Sequence, residues 1–277
     1  MKIKYLGTAA AEGIPGIFCD CAVCKQAREK GGRFIRTRSQ ALVDDALLID
    51  FGPDTYMHAL QYNIALSKIK NCLVTHSHQD HLYIDEIAMR KHGFAYLDDT
   101  APLTFYGDKS SSDMLESFIA EAAIPEDTAV VQRIKPCVPF AVVDYTVTAI
   151  RASHDPKSDP VVYFIERDGK NLFYGNDTSD FSEDGWEYIA KNGKKIHLLS
   201  LDCTEGDKEI QYVGHMNLAR CIAMRQRFAD LGLVDENTIC VLHHFSHNGG
   251  HVGYEEFAEI AKKENFLVSY DGMEIQF

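Results

Sequence analysis

The chain has 277 residues, 45% of them hydrophobic and 25% charged, an ordinary globular mix in a chain long enough to bury a core without disulfide staples. Lys and Arg number 28 against 41 Asp and Glu, a net charge of −13. That balance argues against binding a polynucleotide backbone or an anionic membrane surface, both of which call for a basic excess.

Short apolar runs in chain order predict strands at 3–6, 41–43, 46–50, 72–75, 103–106, 145–152, 161–166, 172–174, 196–202, 239–243 and 266–270. Helical patterns fall at 22–30, 54–62, 85–91, 112–122, 186–191, 217–231 and 254–264. The early strands follow one another closely, and helices are interspersed later. A mixed, β-rich α/β (α+β) sheet system covered by helices is therefore expected, rather than a strictly alternating parallel fold. The N-terminus lacks a long apolar region before a small-residue cleavage site, and no run reaches 18 apolar residues. These features predict a cytoplasmic protein with no membrane segment. In that compartment the eight Cys point to metal or catalysis rather than disulfides.

Two clusters carry chemistry. Thr75-His76-Ser77-His78-Gln79-Asp80-His81 follows an apolar strand and places four potential ligands in six residues. Imidazole and carboxylate together suit Zn, Mn, Fe or Ni. Phe18-Cys19-Asp20-Cys21-Ala22-Val23-Cys24 packs three thiols into six residues, a spacing that suits a structural Zn completed by a distant His.

The run at 76–81 resembles the signature of the metallo-β-lactamase superfamily, and the resemblance extends over essentially the whole chain. It implies a single-domain αββα sandwich over residues 1–277 with metals at one sheet edge. Candidates for the remaining motifs stand in the same order: Asp50 in Leu48-Ile49-Asp50, His154 in Ala152-Ser153-His154, Asp177 in Asn176-Asp177-Thr178, and His244 in His243-His244-Phe245-Ser246. Carried over, His76, His78 and His154 would hold one divalent ion. Asp80, His81 and His244 would hold a second, and Asp177 would bridge them. Asp50 would accept a ring N–H from a ligand His. His243 competes with His244, and the His-Phe-Ser pattern favours His244.

The Cys cluster is similar to an insertion in the branch containing the PhnP phosphodiesterase, and would form a Zn-binding unit near 15–38. There the fourth ligand lies three residues after the last active-site His, which here is His247. Leu201-Asp202-Cys203-Thr204 followed by Gly214-His215 resembles the same branch and implies that His215 is the catalytic acid, beside the metal-bound Asp80. The ending Tyr270-Asp271-Gly272-Met273 also resembles that branch and implies a structural tail. Residues 82–102 match no pattern of it and are a candidate substrate-facing loop.

The function implied is a dinuclear hydrolase cleaving a small anionic phosphodiester, such as a cyclic sugar phosphate. Its cofactors would be two divalent ions, Zn or Mn with Fe or Ni as options, plus one structural Zn. A lactonase, thioesterase or tRNA 3′-processing nuclease of the same fold is the first alternative, and a non-hydrolytic cofactor-biosynthesis or redox protein the second. A polynucleotide substrate and a membrane partner are not expected, and a homodimer is compatible with the chain.

Overall fold

The computed structural model describes residues 1–99, 101–209, 213–250 and 253–277. Period-2 burial on both faces of the strands builds it. In β2 (Gln40–Val43) and β3 (Leu47–Ile49), Ala41, Val43, Leu47 and Ile49 point one way, while Leu42 and Leu48 point the other. The first set meets Val147, Ala149, Tyr163, Ile165 and Leu198 of a second sheet; the outer set is covered by α3 (Lys109–Glu121) through Leu115. Strands with two apolar faces demand cover on both sides, which gives the layers helix, sheet, sheet, helix.

The first sheet joins β1 (Lys2–Gly7), β2, β3, β4 (Asn71–Leu73), β5 (Leu103–Gly107) and β6 (Ala129–Arg133), with β14 (Glu274–Gln276) at its edge next to β1. The second runs from β7 (Phe140–Val142) through β8 (Tyr145–Arg151), β9 (Val161–Arg167), β10 (Lys170–Gly175), β11 (Leu198–Asp202) and β12 (Ile239–His243) to β13 (Leu267–Val268). Its outer face is covered by α4 (Glu183–Asn192), α5 (Leu218–Asp230) and α6 (Tyr254–Lys263), which insert Trp186, Phe228 and Phe257 beside Phe173, Leu199 and Leu242. Burying these three aromatics contributes on the order of 2–3 kcal/mol each.

The remaining α-helices among the described residues are α1 (Ala22–Lys30), which starts inside the Cys cluster and carries Cys24, and α2 (Thr55–Gln61). The helix expected at 85–91 is instead a 3-10 helix, Ile84–Arg90, that buries Ile87. Its first residues carry no side-chain cap, which leaves the first-turn N–H groups without a side-chain partner.

Parallel pairing sets the site. β3, β4 and β5 run parallel in one sheet; β10, β11 and β12 do so in the other. The chain leaves β3 at Asp50, β4 at Val74–His76, β10 at Gly175–Asp177 and β12 at His244, so both sheets deliver chemistry-bearing residues from their carboxyl ends. No described helix is long and apolar enough to cross a membrane.

Candidate metal centre

Three of these loops, those after β3, β10 and β12, are bent off their strands by a left-handed residue: Asp50 has φ +68°, Asp177 +46° and His244 +63°. Such backbone is costly for residues other than Gly and is held only where neighbours over-determine it. Here they do. Asp50 accepts the Thr75 N–H at 2.8 Å and its hydroxyl at 2.9 Å. The Phe51 N–H donates to the His81 carbonyl at 2.8 Å. A Cβ on Gly52 would stand 2.1 Å from the Asp80 carbonyl, so only glycine lets the 76–81 loop dock against the end of β3.

The ligand atoms fall into two groups. His76 Nε2 lies 3.0 Å from His78 Nδ1, which lies 3.3 Å from His154 Nε2. His81 Nε2 lies 3.1 Å from Asp80 Oδ2, 2.8 Å from Asp177 Oδ2 and 3.3 Å from His244 Nε2; that last nitrogen is 3.0 Å from Asp177 Oδ2. The other Asp177 oxygen, Oδ1, faces the first group, 3.8 Å from His154 Nε2. Tetrahedral donors at about 2.0–2.1 Å from one ion are about 3.3 Å apart, close to these separations.

Electrostatics point the same way. Asp177 Oδ2 is buried between His81 Nε2 and His244 Nε2, with hydrogen-bond geometry to neither. Burial holds His76 and His154 below the usual imidazole range, in the neutral form a ligand must have. His81 is the exception. Burial opposes its charge, but Asp80, Asp177 and Asp50 together push it well above the usual range. The carboxylates thus call for a cation, which a divalent ion among them would supply. The donor set fits such ions.

The outward ring nitrogens are tied down. His81 Nδ1 meets Asp50 Oδ2 at 2.7 Å, and His244 Nδ1 meets the Thr204 hydroxyl at 2.8 Å. His78 Nε2 meets Asp155 at 3.2 Å, and His154 Nδ1 the Gly214 carbonyl at 3.3 Å. Such partners fix tautomer and ring orientation. His243 turns to the opposite face, between the hydroxyls of Ser39 and Ser269 at 3.0 Å each, outside the donor set.

His215 stands beside the pair, its ring centroid 4.8 Å from His154 and 5.8 Å from His244. Its Nδ1 is 3.1 Å from Asp202 Oδ2. Burial disfavours its charge, yet Asp202, helped by Asp177, pushes it up to about 9. Asp202 also accepts from the Asp177, Thr204 and Met216 N–H groups at 3.1, 3.1 and 2.9 Å. Asp202, Thr204 and Asp155 received no role from sequence. The signal for Asp202 was available: like Asp50, it is a lone carboxylate closing an apolar strand.

The second cluster gathers as well. The ligand atoms of Cys19, Cys21, Cys24 and His247 all lie within 4.8 Å of one another. His247 Nδ1 is 3.6 Å from Cys19 Sγ and from Cys21 Sγ, the separation that about 2.3 Å Zn–S and about 2.0 Å Zn–N bonds give in a tetrahedron. Cys21 caps α1 and accepts the Cys24 N–H. Burial raises its thiol, but that N–H and the neighbouring thiols outweigh it and bring Cys21 to about 7; burial pushes Cys24 up to about 12. The described residues of 82–102 are in neither group. Met89, Arg90, Ala95 and Leu97 line a separate cleft of about 210 Å³ with Tyr56 and Leu66.

The family model for the beta-lactamase superfamily domain matches residues 46–245. The chain belongs to that family. Among solved structures, a diphosphatase from the PhnP family is 19% identical with a TM-score of 0.74, over 100% of this chain and 97% of that one. Zn(2+)-bound PqqB from Methylobacterium extorquens is 18% identical at 0.70, over 100% of both chains. Human tRNase Z, short form, is 18% identical at 0.67, over 100% of this chain and 99% of that one. These likenesses place the fold as a metallo-β-lactamase sandwich. A curated relative, the octanoyltransferase of Porphyromonas gingivalis (strain ATCC BAA-308 / W83), is 27% identical over 168 residues, which is 56% of this chain. The match takes in 31% of the relative, so the chain spans about a third of its length.

Proposed function

We propose that this member of the beta-lactamase superfamily is a cytosolic, dinuclear metal-dependent phosphodiesterase of the PhnP-like branch. Its substrate in this reading is a small anionic phosphodiester, such as a cyclic sugar phosphate. The observation that carries the reading is the placement of His215, 3.1 Å from Asp202 and within ring contact of ligand candidates from both groups. Likeness to a diphosphatase from the PhnP family supports it.

His76, His78 and His154 would hold one ion, Asp80, His81 and His244 would hold the other, and Asp177 would serve both groups. Bound there, divalent ions lower the pKa of water for attack on phosphorus and neutralise charge on the phosphoryl oxygens. Asp50, Thr204, Asp155 and the Gly214 carbonyl hold the ligand rings in place. Asp202 engages His215 Nδ1, so the proton passed to the departing alkoxide is the one at Nε2. Cys19, Cys21, Cys24 and His247 hold a Zn that braces the segment carrying His244, and reduced thiols agree with a cytosolic location.

Metal-loaded protein should hydrolyse bis-p-nitrophenyl phosphate, and His76→Ala or Asp177→Ala should abolish turnover. Unchanged turnover in either variant refutes the reading. The octanoyltransferase relative keeps an acyl-ester or thioester substrate as a second reading. Parallel assays on an octanoyl thioester, an acyl lactone and the phosphodiester separate the two. The net charge of −13 disfavours a tRNA substrate.

A further inference from the structure

Residues between 84 and 97 supply no metal-ligand candidate, yet they wall the cleft of about 210 Å³. Its lining is largely apolar: Phe51, Leu66, Ile87, Met89, Leu97 and Leu103. Phe51, Ile87 and Leu103 belong to the outer core of the first sheet, and Leu66 packs against that core. The cleft is therefore a place where the core opens to the surface. Close packing leaves few voids larger than a water molecule in a protein interior, and apolar hollows stay dry and take apolar guests. A cavity of about 150 Å³ holds benzene, so this volume suits roughly eight carbons.

Two charged side chains stand among the apolar ones. Glu86 and Arg90 both reach the cleft from the 3-10 helix Ile84–Arg90, and no ion pair within 4.0 Å joins them. Arg90 is held in place, its Nε donating to the Thr128 carbonyl at 3.0 Å and its Nη2 to the Ala101 carbonyl at 2.9 Å. Nη1 keeps its two N–H groups for a ligand among the described residues. Glu86 makes no hydrogen bond or ion pair among the described residues, so its carboxylate is open to a donor. One cation and one anion balance. A free carboxylate on the ligand would be repelled by Glu86, and an ammonium by Arg90. A neutral amide suits both, because its carbonyl accepts from Arg90 while its N–H donates to Glu86.

We propose that this cleft binds a medium-chain N-acyl amide. The acyl chain lies among Phe51, Leu66, Ile87 and Leu103, and the amide is read by Arg90 and Glu86. The site stands apart from the metal-ligand groups and does not depend on the phosphodiesterase reading. Its link to them runs through the backbone of Phe51, whose N–H donates to the His81 carbonyl at 2.8 Å and whose carbonyl accepts the Tyr83 N–H at 2.7 Å.

The test is calorimetry of N-methyloctanamide against metal-loaded protein, which should show one site per chain. N-methylhexanamide, two methylenes shorter, should bind about fifteenfold weaker. Methyl octanoate has the same chain without the N–H and should bind at least threefold weaker than the amide; octanoate, facing Glu86, should bind weaker still. Glu86→Ala should bring amide and ester to equal affinity. Ala95→Leu fills the cleft from its wall and should abolish binding. Glu86 has no partner to lose, so its variant guards against a folding failure of the other. No binding of the amide to wild-type protein, equal binding of the two chain lengths, or unchanged binding in both variants overturns the proposal. Octanoate binding as tightly as the amide does so too. Sedimentation supplies the remaining outcome: a wild-type dimer that Ala95→Leu dissociates would assign the cleft to a second copy of the chain and overturn the proposal.

Discussion

His81 Nδ1 lies 2.7 Å from Asp50 Oδ2, and both side chains are fully buried. Asp50 gains two further hydrogen bonds from Thr75, so it is anchored before it orients the ring. Removing such a ring partner typically costs 10–100-fold in metal affinity. Asp50→Ala should weaken binding at the Asp80–His81–His244 group by that factor, read by competition with a chromophoric chelator. Unchanged affinity would mean that the contact is only structural.

His243 and His244 are adjacent but face opposite ways. His244→Ala should remove a metal ion per chain and abolish turnover. His243→Ala leaves the buried Ser269 hydroxyl without its ring partner, while Ser39 keeps Asn176, and should cost about 1–3 kcal/mol of stability while keeping the metals. Metal counting together with urea unfolding distinguishes the two, and a metal loss in His243→Ala would contradict the assignment.

The contrast between those residues shows what sequence made legible. Ligand types at strand ends could be read because metal chemistry restricts them to His, Asp and Cys, and because β3, β4, β10 and β12 announce themselves as apolar runs. The facing of His243 against His244 needed a family pattern, since a strand end can twist either residue inward. Strands β6, β7 and β14 went unread. All three are sheet edges, and the exposed Gln132, Ala141, Glu274 and Gln276 leave too few inward apolar positions to form a pattern. Asp202 and Asp155 were missed because each acts on a ring brought to it from a distant segment.

Cys21→Ser should release the structural Zn. A hundredfold weaker site removes about 2.7 kcal/mol of stabilisation, or about 5–10 °C in Tm. In the metal-free wild-type protein the Cys21 thiol, brought down to about 7, carries more thiolate near neutral pH than an ordinary cysteine. Iodoacetamide should therefore modify Cys21 before the buried Cys72 or Cys221, with Zn protecting it. Mass spectrometry of alkylated peptides checks the order, and equal labelling with and without Zn would count against the site.

Asp271 ties the tail to the body of the fold. It accepts from the Thr8 hydroxyl at 2.6 Å and from the Thr37 N–H and hydroxyl at 2.6 and 2.7 Å. Thr37 in turn contacts His58 at 2.7 Å, and Thr8 receives buried Arg36 at 2.7 Å. Asp271→Ala strands these donors and should cost about 3 kcal/mol, measured by urea unfolding of the metal-loaded protein. A loss below about 1 kcal/mol would mean that the network is dispensable.

The central claim is a bridged pair of ions with a separate third site, and anomalous scattering from crystals of metal-loaded protein tests it most directly. Two peaks about 3.5–4 Å apart are expected, flanking Asp177. A third is expected amid Cys19, Cys21, Cys24 and His247. A single peak at the Asp177 group, or none, would contradict the account.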